Sequence, residues 1–527
     1  MQSLRQLATA VCAALLLSAA STAETQRDHP SHFLTVSTTN GPITGHWAPG
    51  SCPKVVEYLG IPYAKPPVGA LRFAAPQRFV SDTEYEAAAF GNDCPLSPSP
   101  PVDYPGLTAQ APRIIASFAS GLGSRQGEDC LTLNIWSQPT GRSVRHGKPV
   151  LVFFYGGRFT IGNTNSPFYN GKYFAAAQDV IVVTVNYRIN IFGFPGGPDE
   201  ETQNLGLRDQ RTAVEWVRDN IRNFGGNPSK ITIAGQSSGG ASVDYWTYAY
   251  EKDPIVNGII ASSGNAFSFP VNAKNVTEKN WATVVHAVGC NSAANVMACM
   301  REVDWEDIKD AAAAVKPGTS SSVLRSIPPF YPTPDNAIVF TDYVNRTRQG
   351  RFAKVPTFAG NNNNEAGYYR IPAYAKGIVP TEKQVEQFHL ESFTCPVTYQ
   401  AENRIEHNVP SWIWRYSGDW NNTRLYATSG AYHGSDLHMI FGASADVSGL
   451  PATTEQRKLT TVMQKAWFEF SNDPWHGLSD KVGWPQFNPR RKSLVVLGKD
   501  DSSMPIFVKP SEFDAPCSTI SLGFIGE

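Results

Sequence analysis

A chain of 527 residues with a formal net charge of −1 and no long run of Lys and Arg carries no electrostatic footprint for nucleic acid or for an anionic membrane. Charged residues make up 17%, against roughly 25% in an average soluble domain, and 12 Trp and 20 Tyr need a large interior. That excludes a disordered chain and leaves two or three ordinary domains or one large α/β unit with insertions.

The first residues, "MQSLRQLATAVCAALLLSAASTAETQ", set Arg5 before an apolar stretch that ends in Ser21-Thr22-Ala23. This is the layout of a secretory signal peptide spanning 1–23, with cleavage after Ala23. Leu7–Ala20 is too short to span a bilayer, no later segment is a candidate, and stable membrane insertion is not expected. The mature protein is therefore read as secreted. With Cys12 removed, seven cysteines remain: Cys52, Cys94, Cys130, Cys290, Cys299, Cys395 and Cys517. Their spacing has no zinc-like pairing, an oxidising compartment favours disulfides, and an odd count leaves one thiol over. Acceptor sequons at Asn275, Asn345 and Asn421 suit the same route. No repeat, low-complexity tract or dividing linker interrupts 24–527, which is read as a single domain; "PLSPSPPVDYPG" (95–106) and "KPGTSSS" (316–322) read as surface loops.

The runs "PVLVFFY" (149–155), "VIVVTVNY" (180–187), "NGIIASS" (257–263), "VPTFAGN" (355–361), "SWIWRY" (411–416) and "SLVVLG" (493–498) are nearly continuous apolar strands. Such strands belong to a sheet covered on both faces. Leu207, Val214, Val217, Ile221 and Phe224 form a helical stripe halted by Gly225-Gly226 and Pro228, and "KITIAG" then alternates as a short strand. After Gly239 no breaker appears until Pro254, enough for a helix of about three turns. Ser237, in Gly-x-Ser-x-Gly, thus sits on a strand-to-helix turn, with Gly235 and Gly239 where a Cβ would hold strand and helix apart. A phosphate-binding turn would want more glycines and often a Lys, and no Lys follows.

A serine is a weak nucleophile without a base in reach and an acid behind that base, and in a doubly wound hydrolase sheet both come later in the chain. Of the histidines after Ser237, His286, His389 and His407 lie in helical stretches and His476 in a polar loop beside Trp475. His433, in "SGAYHGSDLHMIFG", follows a strand and a polar loop, with His438 its nearest rival. Glu365, in "FAGNNNNEAGYY", directly follows a strand and is the candidate acid; Asp436 is the local rival, expected to face solvent on a helix turn.

At this point the residues resemble a known group. "EYLGIPYAKPPVGALRFAAP" (57–76), "EDCLTLNIW" (128–136), "FFYGGRF" (153–159), "NYRINIFGF" (186–194), "FGGNPSKITIAGQSSGG" (224–240), "NNNNEAG" (361–367) and "AYHGSDLHMIFG" (431–442) are similar, in order, to motifs of the type-B carboxylesterase and lipase family of the α/β-hydrolase fold, most of all to secreted fungal esterases. The resemblance covers nearly all of 24–527. It implies a large, mostly parallel central sheet with helices on both faces and helical or loop insertions around the site. It makes Ser237 the nucleophile, His433 the general base and acid, and Glu365 the orienting carboxylate. Backbone N–H groups of Gly157, Arg158 and Ser238 become the oxyanion hole, with Gln236 and Ser263 in support. It pairs Cys94 with Cys130, Cys290 with Cys299 and Cys395 with Cys517, which leaves Cys52 as the unpaired thiol.

The chain also departs from the family. Arg158 stands where a third glycine is usual, and Gln236 stands where Glu is common. No Trp lies between Cys94 and Cys130, where cholinesterases hold a quaternary ammonium, and the stretch from Glu365 to His433 is shorter than usual. The expected function is hydrolysis of a small-molecule or lipid carboxylic ester through an acyl-enzyme, with no metal and no cofactor. A lipase using 95–129 as a lid, with "RIIASFASGLG" (113–123) as an amphipathic flap, and a non-catalytic binding or adhesion module on the same fold are the alternatives. Nothing in the residues speaks to an oligomeric state.

Overall fold

The six apolar runs and the strand read from "KITIAG" lie side by side as the parallel heart of one sheet. The computed structural model describes residues 34–139, 147–197, 203–318, 322–520 and 522, so the signal peptide expected at 1–23 lies outside the described residues. In chain order the strands are β1 (Thr35–Thr38), β2 (Gly41–Thr44), β3 (His46–Trp47), β4 (Val56–Pro62), β5 (Tyr85–Glu86), β6 (Thr132–Ser137), β7 (Lys148–Phe154), β8 (Ile181–Val185), β9 (Gly226–Gln236), β10 (Gly258–Ser262), β11 (Thr357–Asn362), β12 (Ser411–Tyr416), β13 (Leu494–Leu497) and β14 (Ile506–Val508). Among the described residues, eleven of them form one sheet in the order β14-β13-β12-β11-β10-β9-β7-β8-β6-β4-β3, and β1, β2 and β5 form a small second sheet. From β8 through β7 and β9 to β13 all neighbours are parallel. The pairs β13–β14, β3–β4, β4–β6 and β6–β8 are antiparallel. This is the α/β-hydrolase architecture expected from the sequence.

Every residue of β7, β8, β10, β11, β12 and β13 is buried, so both faces of the sheet are covered. Much of that cover is aromatic: the Phe358 ring of β11 packs 4.3 Å from Trp414 of β12 and 4.6 Å from Trp467 of the helix Thr454–Asn472, centroid to centroid. The predicted helical stripe forms the helix Leu205–Asn220, continued by a 3₁₀ turn Ile221–Phe224 and stopped at Gly225, whose φ is 86°. The strand read from "KITIAG" is longer than expected. It begins at Gly226 and takes in Pro228, because its pairing with β7 is irregular between Lys148 and Val150, where a missing N–H breaks no regular ladder.

The winding places the site. From β7 the chain moves outward to β8, then returns through the helix Leu205–Asn220 to β9 on the opposite side of β7. The loops leaving the carboxyl ends of β7 and β9 therefore diverge and leave a crevice, the place where open α/β sheets bind ligands. "YGGRF" leaves β7 there and Ser237 leaves β9.

Disulfides join Cys94 to Cys130, Cys290 to Cys299 and Cys395 to Cys517, with Cα separations of 5.1, 5.7 and 5.3 Å. The expectation of an unpaired Cys52 is corrected: it is disulfide-bonded, and no free cysteine stands among the described residues. Among the described residues no helix is long and apolar enough to cross a membrane.

Candidate active site

β9 ends at Gln236 and a helix begins at Ser238, so Ser237 alone makes the turn, at φ 58° and ψ −122°. Such a conformation costs an L-residue about 1–3 kcal/mol and persists only where its surroundings impose it. Here they do. Ser237 N donates to Ser262 O at 2.8 Å, and a Cβ on Gly235 would stand 2.1 Å from Gly239 O, one on Gly239 2.1 Å from Phe154 O. Only glycine at both positions lets helix Ser238–Ala249 seat this closely on β7 and β9, and its N-terminus then points its positive end at the serine. Asp244 of that helix is wholly buried, pairs with Arg404 at 2.9 Å and accepts from Ala266 N, which ties the helix to the loop after β10.

β11 delivers the acid and the loop after β12 delivers the imidazole. Glu365 is wholly buried: Oε1 accepts from Ser263 Oγ at 2.6 Å and from Asn362 N at 2.7 Å, and Oε2 faces His433 Nδ1 at 2.5 Å. The two loops are stitched together as well, by Asn364 N to Ala431 O and Asn362 Nδ2 to Tyr432 O. Ser263 holds a left-handed backbone at φ 52°. With Nδ1–H donating to Glu365, the neutral ring presents its Nε2 lone pair, and the partner found there is Gln236 Nε2 at 3.1 Å. The Ser237 hydroxyl is not among the hydrogen-bond partners of His433 in this state; it lies against Tyr369 instead.

On the β7 side, Gly157, Arg158 and Phe159 all have positive φ, at 120°, 56° and 57°. A Cβ on Gly157 would stand 2.3 Å from Ile161 O, so the tight bend needs glycine there. Phe159 N donates to Ser238 Oγ at 3.3 Å, which fastens this loop to the helix after Ser237. Among the described residues nothing accepts from the backbone N–H of Gly157, Arg158 or Ser238, so three donors remain free beside the serine.

The rival residues fall elsewhere. His286 and His476 are exposed, and His407 Nε2 meets Arg348 O. His389 and His438 are held neutral to about pH 3, both by burial and His389 also by the nearby Arg415; His438 is bonded to the Tyr432 hydroxyl at 3.0 Å. Asp436 is corrected. It is wholly buried rather than solvent-facing, because the short helix it opens, Leu437–Ile440, is itself buried behind His433. Asn362 Nδ2 donates to it at 3.2 Å, and burial, with the Glu365 carboxylate adding, raises its pKa to about 6.

The crevice in front of Ser237 is narrow and is walled by Phe269, Leu324, Ile327, Tyr331, Tyr369 and Phe388. A statistical description of the "Carboxylesterase family" matches residues 32–391. The chain belongs to the carboxylesterase family. It is a carboxylic ester hydrolase. A chlorogenic acid esterase of Aspergillus niger is 33% identical over 93% of this chain and 94% of its own. Secreted lipase 5 of Gibberella zeae is 31% identical over 86% and 88%, and a para-nitrobenzyl esterase of Bacillus subtilis is 27% identical over 88% and 95%.

Three features of this family member were not foreseen from its sequence: the Gln236 amide seated on His433, Tyr369 beside Ser237, and Phe118, whose ring meets the His433 ring edge-on at 6.2 Å. Each joins segments distant in the chain, and only the Gln-for-Glu departure at 236 gave any signal. The buried Asp436 has a measurable consequence. A carboxyl whose pKa is raised on folding favours the folded state while protonated, so its contribution is lost as pH rises from about 4 through about 6. Asp436→Asn keeps the acceptor for Asn362 and removes the charge, so thermal unfolding is expected to show a higher midpoint than the parent at pH 8 and little difference at pH 4.

Proposed function

We propose that Ser237, His433 and Glu365 act as nucleophile, general base and orienting acid in two-step hydrolysis of a carboxylic ester. His433 takes the Ser237 proton at Nε2, Oγ attacks the carbonyl carbon, and the N–H groups of Gly157, Arg158 and Ser238 hold the developing oxyanion. The alcohol leaves with the proton from His433. Water, deprotonated by the same nitrogen, then releases the acid. The observation that carries this reading is the Glu365 carboxylate: it is saturated on one oxygen by Ser263 and Asn362 and on the other by His433, which leaves Nε2 as the ring's only working face.

Gln236 competes with the serine for that face. Because it is neutral, it adds no charge that would favour the imidazolium, whereas Gln236→Glu would set a third carboxylate beside a ring already flanked by Glu365 and Asp436. An opposite charge favours the protonated ring, so the acid limb of the kcat/KM profile is expected to move up by about one pH unit. An unmoved limb would mean that Gln236 and His433 do not meet in the working enzyme.

Esterase is favoured over lidded lipase by the helix Ala111–Phe118. Its inner face, Ala111 and Ile114, is buried, and Arg113 donates to the carbonyls of Asp446 and Val447 while Thr108 donates to Arg424 O. With Gly162 N donating to Ser120 Oγ at 2.8 Å beyond the other end of the helix, the flap is held at both ends and has little freedom to open. In a series of p-nitrophenyl esters, kcat/KM should peak at short or medium acyl chains with no jump in rate above the solubility limit of the ester; such a jump would favour the lipase. Secretion is supported by the leader, the disulfides, the relative named a secreted lipase, and the exposure of Asn275, Asn345 and Asn421, where glycans are proposed.

A further inference from the structure

The residue that breaks the family's glycine run does more than supply a backbone N–H. Arg158 lines the same crevice as Ser237, and its guanidinium makes one side-chain hydrogen bond, from Nη1 to the Ser326 hydroxyl at 2.8 Å. That acceptor is neutral. Among the described residues no carboxylate lies within 4 Å of the Arg158 guanidinium. A guanidinium has five N–H donors, so most of these remain for a ligand.

The surroundings add positive charge. Arg325 lines the crevice too, with Nη2 4.0 Å from Glu391 Oε2 and Nη1 3.4 Å from Ser392 Oγ. Burial, with the nearby Arg158 guanidinium adding, disfavours the charge on Lys376. Glu391, the carboxylate beside Arg325, is itself held by Gln387, and Glu365 is turned onto His433 and Ser263. The remaining wall is apolar: Phe269, Leu324, Ile327, Phe388. An alkyl chain filling such a crevice would strip water from a guanidinium without replacing its partners, which is costly, whereas a planar carboxylate would accept from it in a two-pronged, charge-assisted pair.

The geometry points to esters that carry a carboxylate a few ångströms from the scissile bond as the preferred substrates, with Arg158 as the group that holds the anion. This rests on Ser237 being the reacting serine. The carboxylate can stand on either side of the scissile bond, so the test has two arms. For the acyl side, 4-nitrophenyl hydrogen succinate is compared with its methyl ester; for the alcohol side, 3-carboxyphenyl acetate is compared with its methyl ester. The quantity read is the ratio of kcat/KM, charged over neutral, so any general loss of activity divides out.

The parent enzyme is expected to favour the charged member at least tenfold on one arm at low salt, with the ratio falling as salt is added. Arg158→Met should bring the ratio to about 1, and Arg158→Lys should keep part of it; all three residues face the same backbone strain at φ 56°. Ratios near 1 on both arms of the parent, or an undiminished ratio in Arg158→Met, would overturn the assignment. If neither member is turned over, the reading of Ser237 fails on its own. The anion site is then decided by calorimetric binding of the same pairs to Ser237→Ala, where the charged member should bind at least fivefold more tightly and equal binding would reject it.

Discussion

Ser237→Ala is expected to lower kcat on a p-nitrophenyl ester by about 10⁴-fold or more while leaving the fold intact. The serine hydroxyl makes no hydrogen bond that holds β9 to the helix Ser238–Ala249; that junction rests on Ser237 N, on the carbonyl that accepts from Ala241, and on the close approach of Gly235 and Gly239. Alanine has the same Cβ and meets the same strain at φ 58°, so the thermal midpoint should hardly move. What disappears is the atom that attacks. Residual hydrolysis above the solvent rate would come from the free N–H groups of Gly157, Arg158 and Ser238, which still polarise a bound carbonyl. A variant turning over at the parent rate would place the nucleophile elsewhere.

Glu365→Gln should cost nearly as much, about 10⁴-fold in kcat, although it changes only one heavy atom. The reason is the order of donors around the carboxylate. Ser263 Oγ–H and the Asn362 N–H both point at one oxygen, so the glutamine must keep its carbonyl there. Its NH₂ then lies where Oε2 now faces His433 Nδ1 at 2.5 Å, donor against donor. The ring escapes by moving its proton to Nε2, and a ring protonated at Nε2 has no lone pair to offer the serine. Equal rates for Glu365→Gln and the parent would remove Glu365 from the mechanism.

The strands that carry the site were readable because they are buried on both faces and so nearly unbroken in apolar residues, as "VIVVTVNY" and "SWIWRY" are. Short edge strands such as β3 and β14 left no such trace, since two or three residues hold no period. The bend at Ser237 was legible from Gly235 and Gly239, whose missing side chains are a local steric demand. The environment of Asp436 was not. A polar residue one turn beyond a loop reads as exposed, and only the packing of Leu437–Ile440 beneath His433 buries it. The Gln236 amide on the imidazole was likewise out of reach, because it brings together residues 197 positions apart. Arg158 was legible as a departure from three glycines, and its backbone N–H does stay free, but where its guanidinium ends could be read only from the fold.

The account turns on whether Ser237 reacts with an acyl-like electrophile. Incubation of the purified enzyme with a fluorophosphonate, followed by digestion and mass spectrometry, asks this directly. The expected result is one adduct per chain on the peptide containing Ser237, and none in Ser237→Ala. An unlabelled Ser237 in an enzyme that still hydrolyses esters, or an adduct on another residue, would contradict it.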